Sequence, residues 1–149
     1  LQLEGTPNGA GGIELALSTP RRLDADLVVD GDVDLVDLRG AIHVDGADVQ
    51  GAGVGGRVEI YGESSVSMDF APEPGDEIVV EADGPVEIGL PWGMGYDLTV
   101  WGDPEHTLTV DDLGFARAAG GSGYFAGWSG SEVQIEVVVS GGDVTIHAL

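Results

Sequence analysis

The sequence predicts an all-β chain: a short irregular β-solenoid (a single-stranded β-helix), with a β-sandwich as second choice. Three observations lead there. Apolar and polar residues alternate strictly in short runs, as a half-buried strand requires. Gly, Pro or Asp-Gly closes nearly every run, and no window of 11 or more residues carries a 3.6-residue period. Finally, Gly-x-Val-x-Leu/Ile recurs at Gly31-Asp32-Val33-Asp34-Leu35, Gly40-Ala41-Ile42-His43-Val44, Gly56-Arg57-Val58-Glu59-Ile60, Gly84-Pro85-Val86-Glu87-Ile88 and Gly142-Asp143-Val144-Thr145-Ile146. A corner that needs positive φ takes Gly without steric cost, and the residues after it point in, out, in. Corners this regular favour stacked coils over a sandwich.

Taken in order, residues 1–12 are Gly-rich after the first four and read as a flexible N-terminal lead or an exchangeable strand, with the β-solenoid domain at 13–149. The chain opens on Leu1 rather than Met, as a processed or excised chain would. Inward positions are expected at Ile13/Leu15/Leu17, Val33/Leu35, Ile42/Val44, Val58/Ile60 and Val66/Met68/Phe70. They continue at Ile78/Val80, Val86/Ile88, Leu98/Val100, Leu108/Val110, Val133/Ile135/Val137/Val139 and Val144/Ile146/Ala148. The stretch 116–119 is the one helix-like fragment, and Gly120-Gly121 stops it.

An internal repeat supports the stacked plan. Asp26-Leu27-Val28-Val29-Asp30-Gly31-Asp32 returns 71 positions later as Asp97-Leu98-Thr99-Val100-Trp101-Gly102-Asp103, with five of seven residues identical. A proline precedes each copy by six residues, at Pro20 and Pro91. Similar strands stand ahead of each proline, Ile13-Glu14-Leu15 and Val86-Glu87-Ile88, and Val144-Thr145-Ile146 is a third version.

Composition bounds the function classes. The 149 residues hold 27 acids against five Arg and no Lys, for a net charge of −22. Such a surface repels nucleic-acid phosphates and anionic membranes and tolerates high salt. A saline habitat explains the charge; a GC-rich codon bias is the plainer rival. There is no Cys, hence neither disulfide nor thiolate metal site. No apolar run is long enough to insert directly in a membrane as a helix.

The corner motifs, the Leu90-Pro91 step into Tyr96-Asp97-Leu98-Thr99-Val100, and the stretch Ser140-Gly141-Gly142-Asp143-Val144-Thr145-Ile146 resemble the "toastrack" adhesin-like β-solenoid domains of bacterial and archaeal envelope proteins. The resemblance spans about residues 13–149. It implies an irregular β-helix, extracellular or at the cell surface, without catalytic residues. The charge, the lack of Lys and the aromatic-rich segment 92–128 depart from that pattern.

Candidate sites are few. Asp30, Asp32 and Asp34 carry oxygen ligands of the kind Ca2+ or another divalent cation prefers, but no EF-hand or nonapeptide spacing surrounds them, and a solvated acidic face is the plainer reading. His43, His106 and His147 lie far apart and read as surface histidines, so no catalytic residue and no cofactor is assigned. Acids this abundant make paired carboxylates uninformative. Trp92, Trp101 and Trp128 form a possible ligand platform, against the simpler reading that the aromatic cluster caps one end of the core. The last strands, with Val137, Val139 and Ile146, have one apolar face and no Lys or Pro. With Leu1 and Leu3 of the lead they are expected to offer an assembly interface by β-augmentation.

The function expected is therefore a non-enzymatic, structural or adhesin-like module whose partners are other copies of itself or envelope proteins. The alternative is a carbohydrate-binding or carbohydrate-active β-helix. Acids crowded by acids are expected to have raised pKa values, so that stability improves on mild acidification.

Overall fold

The computed structural model describes residues 22–130 and 132–149, and the backbone alone of 2–5 and 13–15. It is all-β, 65% strand with no helix among the described residues, in one 13-stranded sheet curled into a half barrel. The strands are β1 (Gln2–Gly5), β2 (Ile13–Leu15), β3 (Ala25–Val29), β4 (Val33–Val36), β5 (Arg39–Phe70), β6 (Glu77–Ala82) and β7 (Val86–Leu90). There follow β8 (Tyr96–Trp101), β9 (Leu108–Val110), β10 (Arg117–Gly121), β11 (Tyr124–Trp128), β12 (Val133–Val139) and β13 (Val144–Ala148).

The 32 residues of β5 are one extended run, but it is not straight. Its residues 42–45 pair with β3, 49–52 with β4, 57–62 with β6 and 66–69 with β7, all parallel. The two halves of the run touch side by side, through His43 Nδ1 at 3.6 Å from Glu59 and the Ser65 hydroxyl donating to Asp48 at 2.6 Å. Two parallel ladders result. One carries β1, β3, two segments of β5, β6, β12 and β8; the other carries β2, β4, the remaining segments of β5, β7, β13 and β9.

Registry explains the core. In the first ladder Leu27 faces Val44, Ile60 faces Val80, Val80 faces Val137 and Val137 faces Val100. In the second, Met68 faces Ile88 and Ile88 faces Ile146. All are buried in one apolar cluster with the corner residues Leu38, Val54, Phe70 and Leu90. Each such side chain contributes about 1.5–3 kcal/mol relative to exposure. The corners depend on Gly where backbones close up. Gly56 sits at φ +107°, and a Cβ there would collide with the Gly40 carbonyl.

The repeated heptapeptide places both copies in the first ladder, at β3 and β8, but two residues out of step. Leu27 lies in the row of Val100, and Leu98 shares its row with Ile135. Val86 and Val144, the starts of two of the repeated strands, are direct partners, and Ile13 pairs with Val33 in the same ladder. Pro20 and Leu17 lie outside the described residues.

Two expectations are corrected. Residues 117–121 form a strand, not a helix, because β11 pairs with them along their whole length and three alanines carry too weak a helix preference to resist that pairing. The expected open edge is not at the last strands. β12 lies between β6 and β8, and β13 between β7 and β9, so Val137, Val139 and Ile146 are buried at 4% exposure or less. The backbone of residues 2–5, which includes Leu3, pairs in parallel with β3, while Leu1 lies outside the described residues. One exposed edge belongs instead to β10, whose outer side has no partner strand among the described residues.

Candidate ligand-binding face

Tyr96, Leu98 and Val100 of β8 point into the core, which leaves Asp97, Thr99 and Trp101 on the outer side. Antiparallel pairing with β11 sets Trp101 opposite Tyr124, Thr99 opposite Ala126 and Asp97 opposite Trp128. β10 extends the same face by placing Arg117 opposite Trp128 and Ala119 opposite Ala126. Paired residues share one face of a sheet, so one surface carries two aromatic clusters.

At one end Trp101 and Tyr124 pack with ring centroids 4.5 Å apart and planes tilted by 43°. At the other the Arg117 guanidinium lies 5.7 Å from the Trp128 ring centre, within cation–π range. Trp101 stays 50% exposed and Trp128 43%. Four residues of β8 separate the clusters, about 13 Å at strand rise. The floor between them is small: Thr99, Ala126 and Ala119. A shallow hollow alongside is lined by Glu77, Asp97, Thr99, Gln134 and Glu136.

The aromatic segment therefore divides its work. Phe115 and Phe125 meet edge to face at 5.4 Å and pack against the core. Tyr96 is fully buried; its hydroxyl donates to the Pro91 carbonyl at 2.7 Å, and burial pushes its pKa up to about 12. The tryptophans are the outward members. Trp92, 69% exposed, stands apart on the turn after β7 and lines a second hollow with Met94, Leu113, Ser129 and Glu132. Of the predicted platform, two tryptophans share a face. Tyr124 and Arg117, which complete their clusters, come from strand pairing that only the fold reveals.

Elsewhere the polar groups form local pairs. Asp30 and Asp32 flank Gly31 between β3 and β4, and Asp34 faces outward beside Gln50. Among the described residues no group of three or more His, Asp or Glu side chains is placed to hold a metal ion. His43 stands beside Glu59, His106 3.8 Å from Asp143, and His147 within 4.0 Å of Asp69 and Glu87, all on the outer surface.

Comparison of the chain with protein families, curated proteins and solved structures found no match.

Proposed function

We propose that this chain is a non-enzymatic, adhesin-like module of the extracellular space or cell surface, built as a short β-solenoid, and that the outer face of β8 and β11 binds a neutral or amine-bearing glycan. The solenoid reading is supported by the way successive segments of β5 alternate between two parallel ladders. The binding reading is carried by one observation, the two exposed aromatic clusters on a common face with a flat floor between them. Aromatic rings offer rigid apolar surfaces for the C–H faces of sugar rings. Thr99 and Gln134 both donate and accept, and Asp97, Glu77 and Glu136 accept from hydroxyls or amines. The charge of −22 disfavours sulfated or uronic chains.

The test is binding to an array of neutral, amino and acidic oligosaccharides, followed by calorimetry on the best binder. Trp101→Ala and Trp128→Ala should each weaken binding at least tenfold, with little effect of salt on a neutral ligand. Binding that is confined to acidic glycans, or unchanged in both variants, would sink the proposal.

A further inference from the structure

Beyond the β10–β11 hairpin, which folds back on β8, the order of strands along the sheet departs from their order in the chain at one level. After β6 and β7 the chain skips a level and lays down β8 and β9. It then forms the β10–β11 hairpin and returns to fill the skipped level with β12 and β13. Both inserted strands are parallel to both neighbours. Ile135 faces Ile78 on one side and Leu98 on the other, and Ile146 faces Ile88 and Val110.

The two halves of the sheet depend on this insert. Among the described residues β6 has no pairing with β8, nor β7 with β9; every ladder contact between β1–β7 and β8–β11 passes through β12 or β13. Without the insert, four strands would present bare edges to a slot about 10 Å wide, two strand spacings. Val133, Ile135, Val137, Val139, Val144 and Ile146, all at 4% exposure or less, would have nowhere else to pack.

We propose that this slot is a strand-acceptor site and that its exchangeable occupant is the 132–149 segment of a second copy of the chain. Another copy's insert reproduces every ladder bond and every buried contact, because its sequence is the same. Only the link between β11 and the exchanged segment differs between the closed and exchanged forms, and that near-equality is what makes exchange accessible at high concentration. Among the described residues, Ser129 and Glu132 carry the bonds at the two ends of the link. Ser129 N–H donates to the Tyr96 carbonyl at 2.9 Å, Tyr96 N–H to the Ser129 hydroxyl at 2.9 Å, and Gly95 N–H to the Glu132 carboxylate at 2.9 Å. Straightening it requires release of the Ser129 bonds, including the 3.5 Å bond from its hydroxyl to the Met94 carbonyl, whereas the Gly95 and Gly75 N–H bonds to Glu132 are re-formed by the other copy's Glu132. Reciprocal exchange gives a dimer; sequential exchange gives an open chain of subunits. This inference goes beyond the glycan reading and does not rest on it.

Disulfide trapping decides it, since the native chain has no Cys. Val79 and Glu136 are register partners across β6 and β12, as are Glu87 and Thr145 across β7 and β13. Full-length Val79→Cys/Glu136→Cys, refolded from denaturant and then oxidised, should cross-link within one chain at low protein concentration. At high concentration it should give covalent dimers and larger species on non-reducing gels. Glu59→Cys/Val79→Cys, a pair across β5 and β6, should stay within one chain throughout. Glu87→Cys/Thr145→Cys provides the same readout should the first variant not fold. Cross-links confined to single chains at every concentration, or dimers equally abundant in the β5–β6 control, would overturn the proposal.

Discussion

Arg39 and Asp76, 37 residues apart, meet with Nη2 2.6 Å from Oδ2, and the same carboxylate oxygen accepts the backbone N–H groups of Gly56 and Glu73. The other arm of the guanidinium donates to the Ala71 carbonyl at 3.0 Å. One ion pair thus ties the turn before β6 to the corners of β5. Both side chains are largely shielded, at 20% and 11% exposure, so the pair is worth more than a surface salt bridge. Asp76→Ala should cost about 2–3 kcal/mol by leaving the Gly56 and Glu73 N–H groups without their acceptor and Arg39 with the more exposed Glu73 carboxylate, 3.2 Å away, as its remaining charged partner. Thermal unfolding should show a loss of about 4–12 °C for a chain of this size. Arg39→Lys, which keeps charge but loses the fork, should fall between the parent and Asp76→Ala.

Asp83 sets a pH dependence. Ser140 and Tyr61 donate to its two oxygens at 2.6 and 2.8 Å, and these bonds hold its carboxyl below the ordinary aspartate value, Ser140 being the larger cause. A depressed folded pKa adds stability that is fully present above the unfolded value and is lost as pH falls through the folded one. Melting temperature should therefore drop on acidification below about pH 4, and Asp83→Asn should flatten part of that drop. An identical acid profile in parent and Asp83→Asn would remove Asp83 as a contributor. At this carboxylate the direction is opposite to that expected from crowded acids, because two hydroxyl donors outweigh the desolvation of the charged form.

Glycine is demanded unequally at the corners. Gly56 combines φ +107° with a blocked Cβ position, whereas Gly75 has φ +95° and open space. Gly75→Ala should cost about 1–2 kcal/mol from strain alone. Gly56→Ala adds a steric clash and should cost about 3 kcal/mol or more. Denaturant midpoints with unchanged slopes would give the comparison, and equal costs would show that the collision relaxes.

Salt should stabilise the chain. With net charge −22, folded-state repulsion is large, and the screening length shrinks from about 30 Å at 0.01 M to 3 Å at 1 M. The melting temperature should climb across that range. A flat response would mean that ion pairs such as Arg57–Glu77, 3.5 Å apart, and the spacing of the acids already balance the repulsion.

Much of this architecture was legible because a strand carries its facing in its own pattern. Val33 and Leu35, Val58 and Ile60, and Val133 through Val139 all bury the side that alternation assigned to them. Strand order was not legible, and the reason is physical. A β12 buried between two parallel neighbours has the same period as one at an edge, so its sequence cannot say which. The β10 strand has no signature of its own, because Ala118, Ala119 and Gly120 carry no alternation and the strand exists through pairing with β11. The ligand face was half legible: Trp101 and Trp128 stood out by type, but only strand registry brings Tyr124 and Arg117 to them.

The skipped level also matters while the chain is being made. A polypeptide emerging from its N-terminus at about 5–20 residues per second completes β8 to β11 before the strands that attach them to β6 and β7 exist. For that interval the nascent chain displays parallel edges on both banks of the gap, and the pairings that close it onto β6 and β7 span more than 50 residues. Contacts so distant in sequence form slowly. A ribosome that stalls or terminates before the β13 codons releases a chain that cannot shut, with its edges open to any extended segment nearby. Closure of the sheet thereby waits on the strands that are made after both of its banks.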